Sequence, residues 1–544
     1  GSVIISSFAA LTFTPMLATK LLVRREKKNI FYTKTEPFFL GLNRIYSRGL
    51  NAFLRHRVIA IVAMAVALVA SVWLWTSIPA EMAPLEDRSS ITIRTTGPEG
   101  VTYEYMRDYT ESINALADSI MPDAAFITAR VSDGSGNIQI TLKDMKERDY
   151  SQMDVAEQLS KAVRQKTDAR AFVQQQSTFG GRRGSMPVQY VLQATNIEKL
   201  QKVLPEFMAK VYDNPTFQMA DVDLKFSKPE VRLSVNREKA NLMGVSTRDI
   251  AQTLQYGLSG QRMGYLYMNG KQYEIVGEIN RQQRNDPTNL KAIYMRSDDG
   301  KMIQMENLVD LVESIAPPKL YRYNRFVSAT ISAGLAEGKT IGEGLDEMDK
   351  IAKETLDDTF RTALSGDSKE FRESSSSLMF AFALALILIY LILAAQFESF
   401  KDPFVIMLTV PLAVCGALIF MSVGGQTMNI YSQIGIIMLI GLVAKNGILI
   451  VEFANQRQQA GEDKMTAIKE ASVQRLRPIL MTSVSTVLGL LPLMFATGEG
   501  CNGRIAMGTA VVGGMLFSTV LTMFIVPAIY SFVSTNQNIK RQNQ

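Results

Sequence analysis

Ile430-Tyr-Ser-Gln-Ile-Gly-Ile-Ile-Met-Leu-Ile-Gly-Leu-Val-Ala-Lys-Asn-Gly-Ile-Leu-Ile-Val-Glu-Phe453 is an apolar run with an ammonium inside it, at Lys445. A helix rises about 1.5 Å per residue, so the run covers the roughly 30 Å hydrocarbon core of a bilayer. Lys445 then lies about 5 Å from the midpoint and roughly 12 Å from the Phe453 end. An unpaired ammonium at that depth costs at least about 2.5–3.5 kcal/mol. Two readings meet that cost: a buried carboxylate on another helix, or a side chain that snorkels to the headgroups.

The same apolar pattern recurs outward from this run. Spans are predicted at Val58–Ile78, Ser375–Phe397, Pro403–Gly424, Pro478–Thr497 and Ile505–Val533, each about 20 residues or more. Within all these bounds only Lys445 and Glu452 are charged. Residues 1–22 begin without Met, are apolar, and run into Lys20, Arg24, Arg25, Lys27 and Lys28. They read as the end of a spanning helix, and the chain as a fragment of a larger protein. A signal peptide would carry its basic residues first.

The 544 residues are 47% hydrophobic and 20% charged, an average that conceals apolar ends and a soluble-like middle. The net charge of +6 does not point to nucleic acid. Its basic residues sit beside spans, at Lys20–Lys28, Arg55, Arg57, Arg475, Arg477, Lys540 and Arg541, as in cytoplasmic loops. Alternation then places Pro79–Ser374 outside, and Gln456–Val473 and the tail after Ser534 (534–544) inside. Within 36–56, Phe38, Phe39, Leu42, Ile45, Leu50 and Leu54 alternate with Arg44, Arg48 and Arg55. This segment is predicted to be an amphipathic helix on the inner membrane surface.

The middle region reads as α+β. Ser90–Thr95 alternates as a strand, Thr102–Ile120 as a helix, and Ala125–Val131 and Asn137–Leu142 as a hairpin about Asp133-Gly-Ser-Gly. Ser151-Gln-Met-Asp154 opens a helix as a capping box, and Ala169–Val173 completes a β-α-β-β-α-β order of ferredoxin-like type. A second unit starts at Val188–Ala194 with a helix near Lys199–Val211 and strands at Ala220–Phe226 and Glu230–Val235. Ser246-Thr-Arg-Asp249 caps a further helix, the hairpin-rich stretch Tyr256–Val309 then interrupts the unit, and it resumes at Ser328–Ala333 and Gly342–Leu356.

No enzyme site is expected. There is no GxxxxGK[ST] phosphate loop, and the sole histidine, His56, flanks a span. Cys415 and Cys501 have no metal-ligand spacing and are not expected to form a disulfide. The 28 methionines form no cluster with Cys or His, so neither a metal nor a cofactor is predicted. Gly180-Gly-Arg-Arg-Gly184 is too short for a phosphate cradle and reads as an exposed loop.

The membrane residues carry more chemistry. Beside Lys445 and Asn446, Arg475 and Arg477 precede Pro478, which suits a first helical turn, and Thr482 follows one turn on. Positive-inside anchoring accounts for Arg477, and Thr482 can bond its own backbone. A mid-membrane lysine with hydroxyl and amide neighbours is also what a proton relay requires. Protonating a partner carboxylate would strip Lys445 of its counter-ion and force repacking. No Asp or Glu is predicted deep in any span, so the partner is expected on helices outside these residues.

Gly441-Leu-Val-Ala-Lys-Asn-Gly-Ile-Leu-Ile-Val-Glu-Phe453 and Arg475-Leu-Arg-Pro-Ile-Leu-Met-Thr-Ser483 resemble the tenth and eleventh helices of resistance–nodulation–division (RND) efflux pumps, multidrug (hydrophobe/amphiphile) branch. Gly508-Thr-Ala-Val-Val-Gly-Gly514 resembles the twelfth, and Phe13-Thr-Pro-Met-Leu17 the end of the sixth. The resemblance covers essentially the whole chain, as the C-terminal half of such a pump. It implies an α-helical membrane bundle (six full spans, five of them in 375–533) with a periplasmic insertion. By the same resemblance 79–186 is one porter subdomain, 187–226 and 318–366 a second, and 227–317 a docking subdomain.

The resemblance assigns Lys445, Asn446, Arg475 and Thr482 to the proton relay and the acidic pair to the missing N-terminal half. It implies a homotrimer in a Gram-negative inner membrane, with a periplasmic adaptor protein, an outer-membrane channel, protons and small amphiphilic substrates as partners. The strand segments Ile127–Asp133 and Asn137–Leu142 depart from drug pumps in having a short turn and no aromatic, which leaves Ile138 and Ile140 as pocket candidates or as core strand residues. The rival readings are a non-transporting assembly scaffold and a lipid-exporting relative.

Overall fold

A computed structural model describes residues 1–21, 30–176, 186–284, 286–316, 319–336 and 338–534. The Gly180–Gly184 loop, most of the basic run after Lys20 and the tail beyond Ser534 lie outside the described residues. Helix α1 (Ser2–Leu21) is followed by α2 (Ile30–Arg55) and α3 (Val58–Ser77). Tyr46, Leu50 and Leu54 recur at helical spacing and bury one face of α2, and the Tyr46 hydroxyl donates to the Met523 carbonyl at 2.7 Å.

The extramembrane region begins with β1 (Ser90–Thr96), α4 (Tyr103–Ile120), β2 (Phe126–Ser132), β3 (Ser135–Thr141), α5 (Gln152–Val163) and β4 (Arg170–Gln175). The sheet order is β2-β3-β1-β4, antiparallel throughout. Alternation sends Ile91, Ile93, Ile138 and Ile140 to one face, where they pack with Met106, Ile113 and Leu159 of the two helices. Ile138 and Ile140 are both 0% exposed, so the structure corrects their candidacy as pocket residues. They are core, and the open face of that strand presents Asn137 and Gln139 instead.

The second unit comprises β5 (Val188–Ala194), α6 (Ile197–Asp213) and β6 (Phe217–Val222). The chain then leaves it through β7 (Lys228–Val235), α7 (Arg237–Leu242), α8 (Thr247–Leu258), β8 (Gln261–Met268), β9 (Lys271–Gly277), β10 (Tyr294–Arg296), β11 (Met302–Gln304) and β12 (Val309–Ala316). It returns with β13 (Tyr321–Tyr323), β14 (Phe326–Leu335), α9 (Ile341–Thr355) and β15 (Arg361–Leu364). Strand β14 pairs with β5, β6 and β13, so the interrupted unit closes across the excursion. The predicted strand at Glu230–Val235 pairs with β12 instead, which puts it in the excursion. Both predicted capping boxes form, Ser151 with Asp154 and Ser246 with Asp249.

The remaining helices are α10 (Gly366–Phe397), α11 (Lys401–Met407), α12 (Thr409–Val423), α13 (Ile430–Gln459), α14 (Lys464–Met494) and α15 (Cys501–Val533). Among the described residues six helices are long and apolar enough to cross a membrane, with α11 and α12 forming one of them. They run further than the apolar stretches predict. Helix α14 starts at Lys464, and Pro478 lies well inside it rather than in its first turn. The span predicted at Pro403–Gly424 begins at Lys401 and so takes in Asp402, a carboxylate only 3% exposed. Helix α15 is the most enclosed because small residues let its neighbours approach. A Cβ on Gly514 would collide with Leu439 and come within 2.9 Å of the Ala413 carbonyl.

A short strap, 79–87, joins bundle and extramembrane region. Met428 N–H donates to the Pro79 carbonyl at 2.9 Å, and Gly342 N–H to the Ala80 carbonyl at 3.1 Å. Glu86 accepts from the N–H groups of Asn502 (3.3 Å) and Gly503 (2.9 Å), an anion at the N-terminus of α15. Asp87 faces the other way, accepting from Arg148 and from the N–H groups of Gln152 (2.9 Å) and Ser89 (3.0 Å). Burial alone would raise the Asp87 carboxyl, but these donors outweigh it and hold it below its ordinary range.

Candidate functional site

Asn429 and Ser432 form a capping box that starts α13, and the helix then runs uninterrupted for 30 residues. Lys445 is the sixteenth of them, so it sits at the centre of the helix. Its side chain is half-buried, at the edge of the packed face against α14. The ammonium donates to the Thr486 hydroxyl at 3.2 Å, and that hydroxyl donates on to the Thr482 carbonyl at 2.8 Å. Among the described residues no carboxylate lies within 4.0 Å of it. An ammonium offers three donors, so one hydroxyl leaves it under-satisfied.

Asn446 is rotated about 100° further round α13 and points between α14 and α15. It is 1% exposed, and its amide N–H group lies 3.5 Å from Ser483 Oγ and 3.4 Å from Thr519 Oγ1. The Thr519 hydroxyl bonds Ser483 at 3.3 Å, which closes a polar triangle across three helices. The Asn446 carbonyl oxygen is buried with no donor.

Arg475, Thr482 and Thr486 share one stripe of α14, at i, i+7 and i+11. Arg475 lies over the Phe453 ring at 4.3 Å, and its buried Nε has no hydrogen-bond partner. The Thr482 hydroxyl bonds its own helix, at the Ile479 carbonyl (3.1 Å). The structure therefore brings Lys445 to Thr486 and Asn446 to Ser483 and Thr519. It places Thr482 one turn from the ammonium, linked only through its carbonyl, and Arg475 two turns beyond Thr482. Arg477 serves packing, with Glu36 at 3.4 Å and the Phe39 ring at 4.4 Å, both on α2.

Sequence reasoning missed Thr486, Ser483 and Thr519. A signal was present in the polar run Thr482-Ser-Val-Ser-Thr486 inside an apolar segment. It also missed a second buried polar cluster at the far end of α13. There Asp402 accepts from Asn455 Nδ2 (3.1 Å) and the Ser534 hydroxyl (2.7 Å), Asn455 bonds Tyr530, and Gln458 donates to Tyr530 at 2.7 Å. Lys464 caps the end of α15 through the Ser531 (2.9 Å) and Ser534 (2.6 Å) carbonyls. Where α3, α9, α10 and α13 meet, an apolar cavity of about 310 Å³ is lined by Trp75, Leu345, Phe371, Met379, Phe382 and Ile437.

Long apolar helices, a polar knot at mid-span and a large α/β insertion define a multi-pass membrane protein with a sizeable extramembrane region. The AcrB/AcrD/AcrF family profile matches residues 1–534, and the chain belongs to that family. It is 32% identical over 552 aligned residues to an uncharacterized transporter of Haemophilus influenzae. That alignment takes in 98% of this chain and 53% of the relative, so the chain spans about half the length of the curated relative it matches.

Proposed function

We propose that this chain is the C-terminal half of an RND efflux transporter of the hydrophobe/amphiphile branch. It works in a Gram-negative inner membrane, is driven by the proton-motive force, and exports amphiphilic or hydrophobic compounds. The observation that carries the reading is Lys445, an ammonium at the centre of a spanning helix whose only described partner is a neutral hydroxyl. Such a charge is held in a membrane at a cost, and a switchable acidic counter-ion is the simplest way to offset it.

In this reading the acid belongs to a helix of the N-terminal half. When it is ionised it pairs with Lys445, and when protonated it releases the ammonium to Thr486 and the Thr482 carbonyl. Asn446 couples that movement to α15 through Ser483 and Thr519, while Arg475 keeps a positive field two turns nearer the cytoplasm. The two antiparallel units act as ferredoxin-like porter subdomains and 227–317 as the docking subdomain. The assembly is a homotrimer joined to an adaptor and an outer-membrane channel. The apolar cavity beside α10 supports an amphiphilic cargo.

The test uses the complete gene. Lys445→Ala is expected to abolish export of a dye panel from cells with trimer yield unchanged, because the acid left without its ammonium stays protonated and no longer switches. Full export by that variant would overturn the relay. A wild type that exports nothing would point to the scaffold reading.

A further inference from the structure

Helix α2 carries three distinct faces. Tyr46, Leu50 and Leu54 are buried on the bundle, and Gly49 lies close against Phe524. Phe38 (67% exposed) and Ile45 (69% exposed), seven residues apart, form an apolar stripe that leaves the bundle uncovered on one side. Arg44, Arg48 and Arg55, at i, i+4 and i+11, form an exposed cationic stripe next to it. With one face fixed to α14 and α15, the order round the helix is bundle, apolar stripe, arginines.

The only acid of α2, Glu36, is held by Arg477 at 3.4 Å. No described carboxylate lies within 4.0 Å of Arg44, Arg48 or Arg55. The apolar stripe continues onto the exposed Val58, Ile59 and Val62 of the adjoining span, so α2 meets the bilayer where that span enters it.

We propose that the Arg44–Arg48–Arg55 stripe is a binding surface for anionic phospholipid headgroups. The apolar stripe fixes the depth of α2 in the interface, and the three guanidiniums then lie at the level of the phosphates, which they can hold bidentately. A zwitterionic headgroup presents its phosphate beside a compensating ammonium, so the surface discriminates by net charge. The inference requires only that the protein spans the membrane and is independent of transport.

The test reconstitutes the full-length protein in phosphatidylcholine with and without phosphatidylglycerol and measures the relative association of spin-labelled versions of each lipid. The expected result is a clear preference for phosphatidylglycerol that weakens with salt. Arg48→Gln should lower it by about fivefold, as one arginine at an anionic surface is worth, and Arg44→Gln/Arg48→Gln/Arg55→Gln should remove it. The thermal midpoint should stay unchanged, because all three side chains are exposed. Arg504→Gln, in the first turn of α15 at the opposite end of the bundle, should leave the preference intact. A wild type without preference, a triple variant that keeps it, or an equal loss in Arg504→Gln would each overturn the proposal.

Discussion

Thr486 is the residue on which the ammonium of Lys445 rests, and it sits one turn beyond the threonine that the sequence singles out. A hydrogen bond to a charged group is worth about 1.5–3 kcal/mol, so removing this acceptor has a measurable cost. If the proposed relay operates, Thr486→Val in the complete protein is expected to slow dye export by about tenfold or more, with Thr486→Ser restoring most of the rate. An unchanged rate in the valine variant would show that the ammonium finds its working partner elsewhere. Lys445 itself was legible from its depth in the apolar run. Which hydroxyl receives it was not, because that depends on the rotation of α14 against α13.

At the scale of elements, the helices run past their apolar cores and carry polar ends into buried positions. The apolar run places a span boundary at Pro403, which leaves Lys401 and Asp402 outside it. In the fold Asp402 is enclosed by Asn455 of α13 and Ser534 after α15, donors that stand 53 and 132 residues away. Asp402→Ala strands both donors in a dry site, at about 1–3 kcal/mol for each unsatisfied group. The expected outcome is a lowered thermal midpoint for the purified full-length protein in detergent, with the oligomer still formed below it. An unaltered midpoint would show that water takes over the two donors. Pro478 teaches the same lesson: a proline between an arginine-rich flank and an apolar run suggests a start, yet tertiary packing carries α14 straight through it.

For the molecule as a whole, the strap between α3 and β1 matters most. Glu86 is tied to the start of α15 and Asp87 to Arg148 of the first extramembrane unit, so two adjacent carboxylates fasten the bundle to the region it supports. Because the Asp87 carboxyl is held below its ordinary value of about 3.9, its ionised form stabilises the folded state. That contribution is complete above the unfolded value and fades as pH falls through the folded one. Thermal melts between neutral and strongly acidic pH should therefore show a steeper loss below about pH 4 for the wild type than for Asp87→Asn. The variant should start lower by about 3–5 kcal/mol at neutral pH, since Arg148 is then buried without its counter-ion. Parallel curves would remove Asp87 from this role.

Periodicity and depth belong to the sequence, and they determined the class of the protein. Apolar runs of bilayer length predicted the spans, alternation predicted β1 to β4, and Ser151 and Ser246 marked helix starts that form as predicted. These features are local, because backbone hydrogen bonding and side-chain period act over a few residues. Tertiary structure decided what local pattern leaves degenerate. Ile138 and Ile140 alternate as a pocket strand or a core strand would, and only the helices packed on their face made them core. Thr482 and Thr486 lie on the same stripe, and only the approach of α13 chose the second as the lysine's acceptor. Partner choice is a property of which surfaces meet, and a single helix does not encode it.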